Sequence, residues 1–567
     1  MSESAQIDNQ NTPKRQPTEL DQIAERWADT QVELTPELRV YEGLEGDKAE
    51  YSDMSPASFD ATREATERVL REVREAPIAD EVDRVTQAEL IRTLELDLEM
   101  LDAKWGYREV SNISSFAQDS RMVFDLMSQE SEEDFTDIAR RMRNLPGAID
   151  QWIQTLRVGI DDNNTAAKRQ VREVINQVRD YAKPDGFFNK LATGEAARRA
   201  ADGSALAGEL EQAAAGAAEA YGRLGDFLER EYLDAATEED AFGREAYALQ
   251  SRHFVGAQID LDETYEWGLE ETRRMREEQE AIAREIKPGA TVAEAIAFLD
   301  QDEAHILRGT DALQKWMQEK SDQAIEELGR THFDIPAPMR KLECMIAPTE
   351  EGAIYYTGPS DDFSRPGRMW WSVTPGVTEF GTWRELTTVY HEGVPGHHLQ
   401  VARATYVKDQ LNTWRRRNWT SGHGEGWALY AERLMEQLGY LDDPADRLGM
   451  LDGQRMRAAR VALDIGVHLG KEIPEGGKVW DYDYAYNFMR NNVNMPDGFV
   501  HFEVNRYFGW GGQAPSYKVG QRIWEQIRDE SAKRAGDQFD LKAWHTKALN
   551  LGGVGLDTLR EAMLRDA

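Results

Sequence analysis

At 567 residues, 40% hydrophobic and 30% charged, the chain has ample apolar material for a large core and the composition of a globular protein. Its net charge of -37 and pI near 4.7 argue against nucleic acid or anionic lipid as a partner, because no extended surface here neutralises phosphates. The single cysteine, Cys344, excludes an intrachain disulfide and a thiolate-rich metal site, so any metal must be held by nitrogen and oxygen.

In chain order, residues 1–18 are rich in Ser, Gln, Asn and Pro and read as a disordered tail. That tail lacks the apolar stretch of a signal peptide, and no run approaches the roughly 18 apolar residues of a membrane span, so a cytoplasmic protein is expected. From 19 to 330 the composition favours helix throughout, which predicts a helical lobe. The Ala-rich stretch Ala205–Leu228 is one such helix. Another starts at Asp260-Leu261-Asp262-Glu263, spaced as a capping box, and sets Tyr265, Leu269, Thr272 and Met275 on one face. Neither an internal repeat nor a sustained heptad pattern is visible.

Residues 331–567 read as a second lobe, continuous with the first in a single fold. Its opening carries Pro336, Pro338, Pro348, Pro359, Pro366 and Pro375 and little helical periodicity. Gly352–Tyr356 and Arg368–Val373 resemble two short strands joined by a turn at Gly358–Asp362. The sheet edge either receives an extended peptide or merely braces the lobe. Helical pattern resumes at Thr382, runs through His391 and, after an interruption, continues to about Lys408. Further helices are expected over 425–437, 454–471, 484–491 and 516–535.

Three of the ten histidines fall at His391, His397 and His398, within Tyr390-His391-Glu392-Gly393-Val394-Pro395-Gly396-His397-His398-Leu399-Gln400. His423 follows in Ser421-Gly422-His423-Gly424-Glu425-Gly426-Trp427, ahead of Glu432. Imidazoles and carboxylates this dense suit a divalent ion, which takes neutral imidazole and ionised carboxylate together. The spacing departs from H-E-x-x-H, since Pro395 stands where the second histidine belongs. On a regular helix, six positions on points to another face, and seven returns to the same face about 10.5 Å further along. Pro395 cannot donate to the His391 carbonyl and crowds it, while Gly393 and Gly396 supply permissive backbone, so the helix must open. If two residues loop out, His397 is the second ligand; if nearly a full turn is inserted, His398 is. Gly396-His397 followed by an apolar helix resembles the Gly-His of many zinc-peptidase helices, and that resemblance favours His397. Glu425 is the expected third ligand and Glu392 the base, with Glu432 supporting a histidine ligand.

This string, with Glu-Gly-Trp-Ala-Leu-Tyr-Ala-Glu downstream, closely resembles the bacterial "domain of unknown function" family 885. That family is similar in fold to the carboxypeptidase Taq-type zinc metallocarboxypeptidases and, more distantly, to angiotensin-converting enzyme and thimet oligopeptidase. The resemblance covers most of the chain and is sharpest from about Ile354 to Gln521. It implies a mostly α, two-lobed zinc-peptidase-like fold with a central groove. Metal, base and third ligand carry over onto His391, Glu392, His397 or His398, and Glu425.

Two further constellations accompany the centre. Arg460, Asp464 and His468 stripe one face of an otherwise apolar helix, near Arg457, as a wet groove or as a packing network. Asn505–Lys518 concentrates aromatics and glycines before a helix. Its Arg506-Tyr507 resembles the Arg-Tyr pair of angiotensin-converting enzyme, whose tyrosine donates to the oxyanion, with Tyr517 the competing donor and aromatic packing the alternative for each. A substrate carboxylate would find Arg457, Arg460, Arg506 or Lys518. The expectation is a zinc peptidase, carboxypeptidase- or oligopeptidase-like, acting on peptides; its rival is a catalytically silent metal- or peptide-binding protein of the same fold. A carboxylate-bridged di-iron bundle is disfavoured, because neither Glu392 nor Glu425 has a histidine three residues on.

Overall fold

The computed structural model describes residues 14–347 and 354–565, so the expected disorder of residues 1–13 and the strand start at Gly352-Ala353 lie outside the described residues. Residues 14–18 depart from the expected tail. Arg15 pairs with Asp21, Asp80 and Asp83, and Thr18 caps helix α1 (Glu19–Leu34) in a reciprocal box with Asp21.

The architecture is mostly helical with two small sheets. In the N-terminal part, α2 (Glu132–Asp161) packs on α3 (Leu206–Phe227) around a core drawn from residues 40–236. Small side chains such as Ala213, Ala217 and Ala220 on α3 allow the close approach that an Ala-rich sequence promises. A second, larger core runs from Tyr247 to Met563 and takes in Val85. A third, smaller core joins residues from Leu20 to Leu94 with Trp414, so the N-terminal helices are tied into the C-terminal half. Helix α4 (Leu261–Ile286), capped by Asp260, belongs with the C-terminal helices because its buried face lies along α8 (Pro444–His468).

Strands β1 (Ile306–Arg308) and β5 (Glu379–Gly381) pair antiparallel. The larger sheet has the order β2-β4-β3, with β2 (Leu342–Ile346) parallel to β4 (Gly367–Trp371) and β3 (Tyr355–Thr357) antiparallel to it. Two of these strands match the expected hairpin; the parallel neighbour β2 adds a third. Met369 and Trp371 point into the core beside buried Cys344, whose thiol burial pushes up to about 11 and so keeps unreactive.

Five helices carry the centre: α5 (Thr382–Glu392), α6 (His397–Tyr406), α7 (Ser421–Gln437), α8 and α10 (Gln513–Ala535). Helices α7 and α8 begin earlier than their periodicity indicates, α7 by four residues and α8 by ten. Residues 505–509, which the sequence places only ahead of a helix, end helix α9 (Asp497–Gly509). Helices α7 and α10 touch backbone to backbone: a Cβ on Gly520 would lie 2.1 Å from the Gly422 carbonyl oxygen. That contact fixes Glu425 of α7 relative to Tyr517 of α10. Among the described residues no helix is long and apolar enough to cross a membrane.

Candidate metal centre

The opened helix is built as its sequence demands. Helix α5 stops at Glu392, the Val394–Pro395 peptide is cis, and α6 begins at His397. The Gly396 amide reaches back to the Tyr390 carbonyl at 3.0 Å. No other residue fits there, since a Cβ on Gly396 would stand 1.9 Å from the His391 carbonyl oxygen. From α7, Trp427 holds the loop by donating its indole N–H to the Pro395 carbonyl at 2.9 Å.

This turn sets the His391 and His397 rings perpendicular, with centroids 4.8 Å apart. One nitrogen of each and one oxygen of Glu425 lie within 4.8 Å of one another, a set that could hold a metal ion. Glu425 Oε2 is 3.3 Å from His391 Nε2 and 3.6 Å from His397 Nε2. Donors about 2.1 Å from a tetrahedral zinc stand about 3.4 Å apart, so the spacing fits the ion. The same oxygen is buried without a hydrogen-bond partner, which a cation would supply.

The surrounding charges orient these donors. His391 Nδ1 donates to Glu432 Oε1 at 2.7 Å, which leaves Nε2 with its lone pair toward Glu425. Glu432 in turn accepts from Gln454 Nε2 at 3.1 Å, and Gln454 Oε1 accepts from Lys518 Nζ at 2.8 Å. With protons alone, burial disfavours a charged His391, yet the carboxylates of Glu425 and Glu432 hold it up to about 10. Burial opposes ionisation of Glu425 too, and the two imidazoles overcome it, holding the carboxyl far below its ordinary range. A buried site that stabilises cation and anion this strongly is suited to a divalent ion. Beside it, Glu392 is buried, has no hydrogen-bond partner among the described residues, and is pushed up by burial against the pull of His397 and His391.

Other sequence candidates are placed elsewhere. Both nitrogens of His398 are engaged away from the cluster: Nε2 donates to the Met339 carbonyl at 2.8 Å and Nδ1 accepts from Tyr356 at 2.9 Å, so it ties α6 to β3. His423 faces away, its ring against Trp524 and its Nδ1 3.3 Å from Gln400. Arg460, Asp464 and His468 form a packing network rather than a wet groove. Asp464 accepts from Tyr247 and the Gly512 amide at 2.7 and 2.8 Å, and burial pushes its carboxyl up to about 7. His468 donates to the Tyr507 carbonyl at 2.8 Å. Arg460 pairs with Glu503 at 2.7 Å and donates to the Tyr507 hydroxyl, which donates to that same carboxylate. Tyr507 is thus buried and engaged. Tyr517 differs: it is half-buried, its hydroxyl has no partner among the described residues, and it lies close enough to feel the Glu425 charge. Arg506 and Lys518 are neutralised in place, the first by Glu503 and Gln513, the second by Gln454, Gln521 and Glu271.

Sequence reasoning missed Gln454, Trp427 and Glu503. Trp427 sits inside the downstream motif, so its place was visible although its role was not. Glu503, one turn before Tyr507, becomes visible only once 497–509 is read as helix.

The family pattern described as bacterial protein of unknown function (DUF885) matches residues 36–563. The chain belongs to that family. Among solved structures, the fold is similar to that of a "putative lipoprotein" from Colwellia psychrerythraea, with a TM-score of 0.82 at 19% identity over 96% of this chain and 98% of that one. A "putative lipoprotein of unknown function" from Shewanella oneidensis gives 0.74 at 16% identity, covering 96% and 99%. Pyrococcus furiosus carboxypeptidase aligns over 98% and 96% at 12% identity, but a TM-score of 0.38 carries no argument. No curated protein matches the sequence.

Proposed function

We propose that this member of the family is a zinc-dependent hydrolase of peptide bonds. The observation that carries the reading is the convergence of a nitrogen each from His391 and His397 with Glu425 Oε2 within 4.8 Å, both histidine–Glu425 separations being near tetrahedral spacing, beside a buried Glu392 whose carboxylate has no hydrogen-bond partner among the described residues. His391, His397 and Glu425 would hold the ion, two nitrogens and one oxygen leaving a fourth position open. When bound, zinc supplies Lewis acidity, which lowers the pKa of water and polarises a carbonyl.

The chain's own residues supply the rest. Glu392, buried beside the cluster, takes the proton of the attacking water and delivers it to the leaving amine. Tyr517 is the hydroxyl free to donate to the developing oxyanion, a contribution on the order of 3 kcal/mol for a well-placed donor. The outer edge of β3, tied to α6 by the Tyr356–His398 bond, has no neighbouring strand among the described residues and is the edge an extended peptide would join.

Glu392→Gln tests the assignment. Zinc content should equal that of wild type by plasma mass spectrometry, while cleavage of a peptide library falls by about 10²–10⁴-fold. Turnover at the wild-type rate would show the base to be wrong. The interrupted helix between His391 and His397 favours a second reading, a metal- or peptide-binding protein without turnover. Fully zinc-loaded wild type that cleaves nothing in the library would select it.

A further inference from the structure

Four cations on α8, α9 and α10 surround the Tyr517 side of the centre, and three are spent on partners within the fold. Arg460 and Arg506 share Glu503, and Lys518 lies among Gln454, Gln521 and Glu271. Arg457 is the exception. Its Nε is buried without a hydrogen-bond partner, and its guanidinium makes no ion pair among the described residues. The side chain folds back over Gly453, where a Cβ would come 2.8 Å from Nη1. From there it stands 5.8 Å from the Tyr517 ring centroid, and its charge acts on the carboxylates of Glu392 and Glu432.

A half-buried guanidinium loses hydration, and among the described residues no hydrogen bond or ion pair replaces it, a place that an arriving anion would take. Its planar fork matches a carboxylate with two parallel hydrogen bonds, and it lies against the ring of the proposed oxyanion donor Tyr517. We propose that Arg457 binds a carboxylate of the substrate next to the scissile bond, so that the substrates are peptides bearing an anion there. This rests on the peptidase reading. The carboxylate is either the free α-carboxylate of a C-terminal residue or an acidic side chain.

The test is calorimetric binding of three probes: N-acetylphenylalanine, N-acetylphenylalaninamide and N-acetylglutamate α-amide. Each is titrated into zinc-loaded Glu392→Gln protein and into chelator-treated wild type, the second removing any direct contribution of the ion. At least one carboxylate probe should bind about 10–100-fold more tightly than the neutral amide in both forms. Arg457→Met should abolish that preference while leaving the neutral probe's affinity and the melting temperature unchanged, and Arg457→Lys should retain part of it. Preference for N-acetylphenylalanine assigns the terminal carboxylate, and preference for the glutamate amide assigns a side chain. No preference in wild type, or an undiminished one in Arg457→Met, overturns the proposal, as does a loss shared by the neutral probe. If Arg457→Met does not fold, Arg457→Gln takes its place. Arg457-dependent binding, together with no cleavage of the peptide library by zinc-loaded wild type, would sink the peptidase reading and leave the carboxylate site standing.

Discussion

Glu432→Gln probes the carboxylate behind the metal centre without changing its volume. One oxygen of Glu432 accepts from His391 Nδ1 at 2.7 Å and the other from Gln454 Nε2 at 3.1 Å. A glutamine cannot satisfy both donors. If its carbonyl faces His391, its NH2 meets the Gln454 NH2. If its NH2 faces His391, Nδ1 must accept, the proton moves to Nε2, and the lone pair aimed at Glu425 is lost. Flipping Gln454 only transfers the conflict, because Gln454 Oε1 already accepts from Lys518 at 2.8 Å. Loss of a carboxylate behind a histidine ligand weakens metal binding about 10–100-fold, or about 1.4–2.7 kcal/mol. Competition against a fluorescent zinc chelator at fixed pH measures this directly, with Glu392→Gln as the variant that keeps its affinity. If Glu432→Gln held zinc as tightly as wild type, the argument from His391 orientation would fail.

The two tyrosines should separate by readout. Tyr517→Phe is expected to lower kcat by about 10²–10³-fold with an unchanged melting temperature. Tyr507→Phe, which strips a partner from the buried Arg460–Glu503 pair, should instead cost about 1–3 kcal/mol of stability in denaturant melts; the opposite pattern would reverse the assignment. His545 accepts or donates at the Tyr430 hydroxyl, 2.9 Å away, and burial lowers its pKa to about 3. A depressed folded-state value means that the neutral imidazole's contribution is complete above the unfolded value of about 6.5 and is lost as pH falls toward 3. The stability advantage of wild type over His545→Gln should therefore shrink by up to about 1.4 kcal/mol per pH unit below 6.5. A difference constant from pH 7.5 to 4.5 in urea melts would contradict it.

Local chemistry was legible from the residues. Pro395 without an N–H, between Gly393 and Gly396, can only interrupt a helix, and the break lies where that reasoning places it. Helix ends were less legible. Helix α8 reaches back to Pro444, and Asn505–Gly509 completes a helix, because buried faces of neighbouring helices extend order beyond what periodicity marks.

By itself the sequence determined which donors are available and that the helix carrying them must open, because proline, glycine and histidine impose those features through their own bonds. Only the tertiary structure decided between equivalent candidates. His397 rather than His398 turns toward Glu425 because Met339 and Tyr356, more than forty residues earlier, occupy both nitrogens of His398. The Arg460–His468 stripe is core rather than groove because Tyr247, Tyr507 and Gly512 close over it. In each case the partner is remote in the chain, and burial makes an unpartnered polar group too costly to leave the choice open.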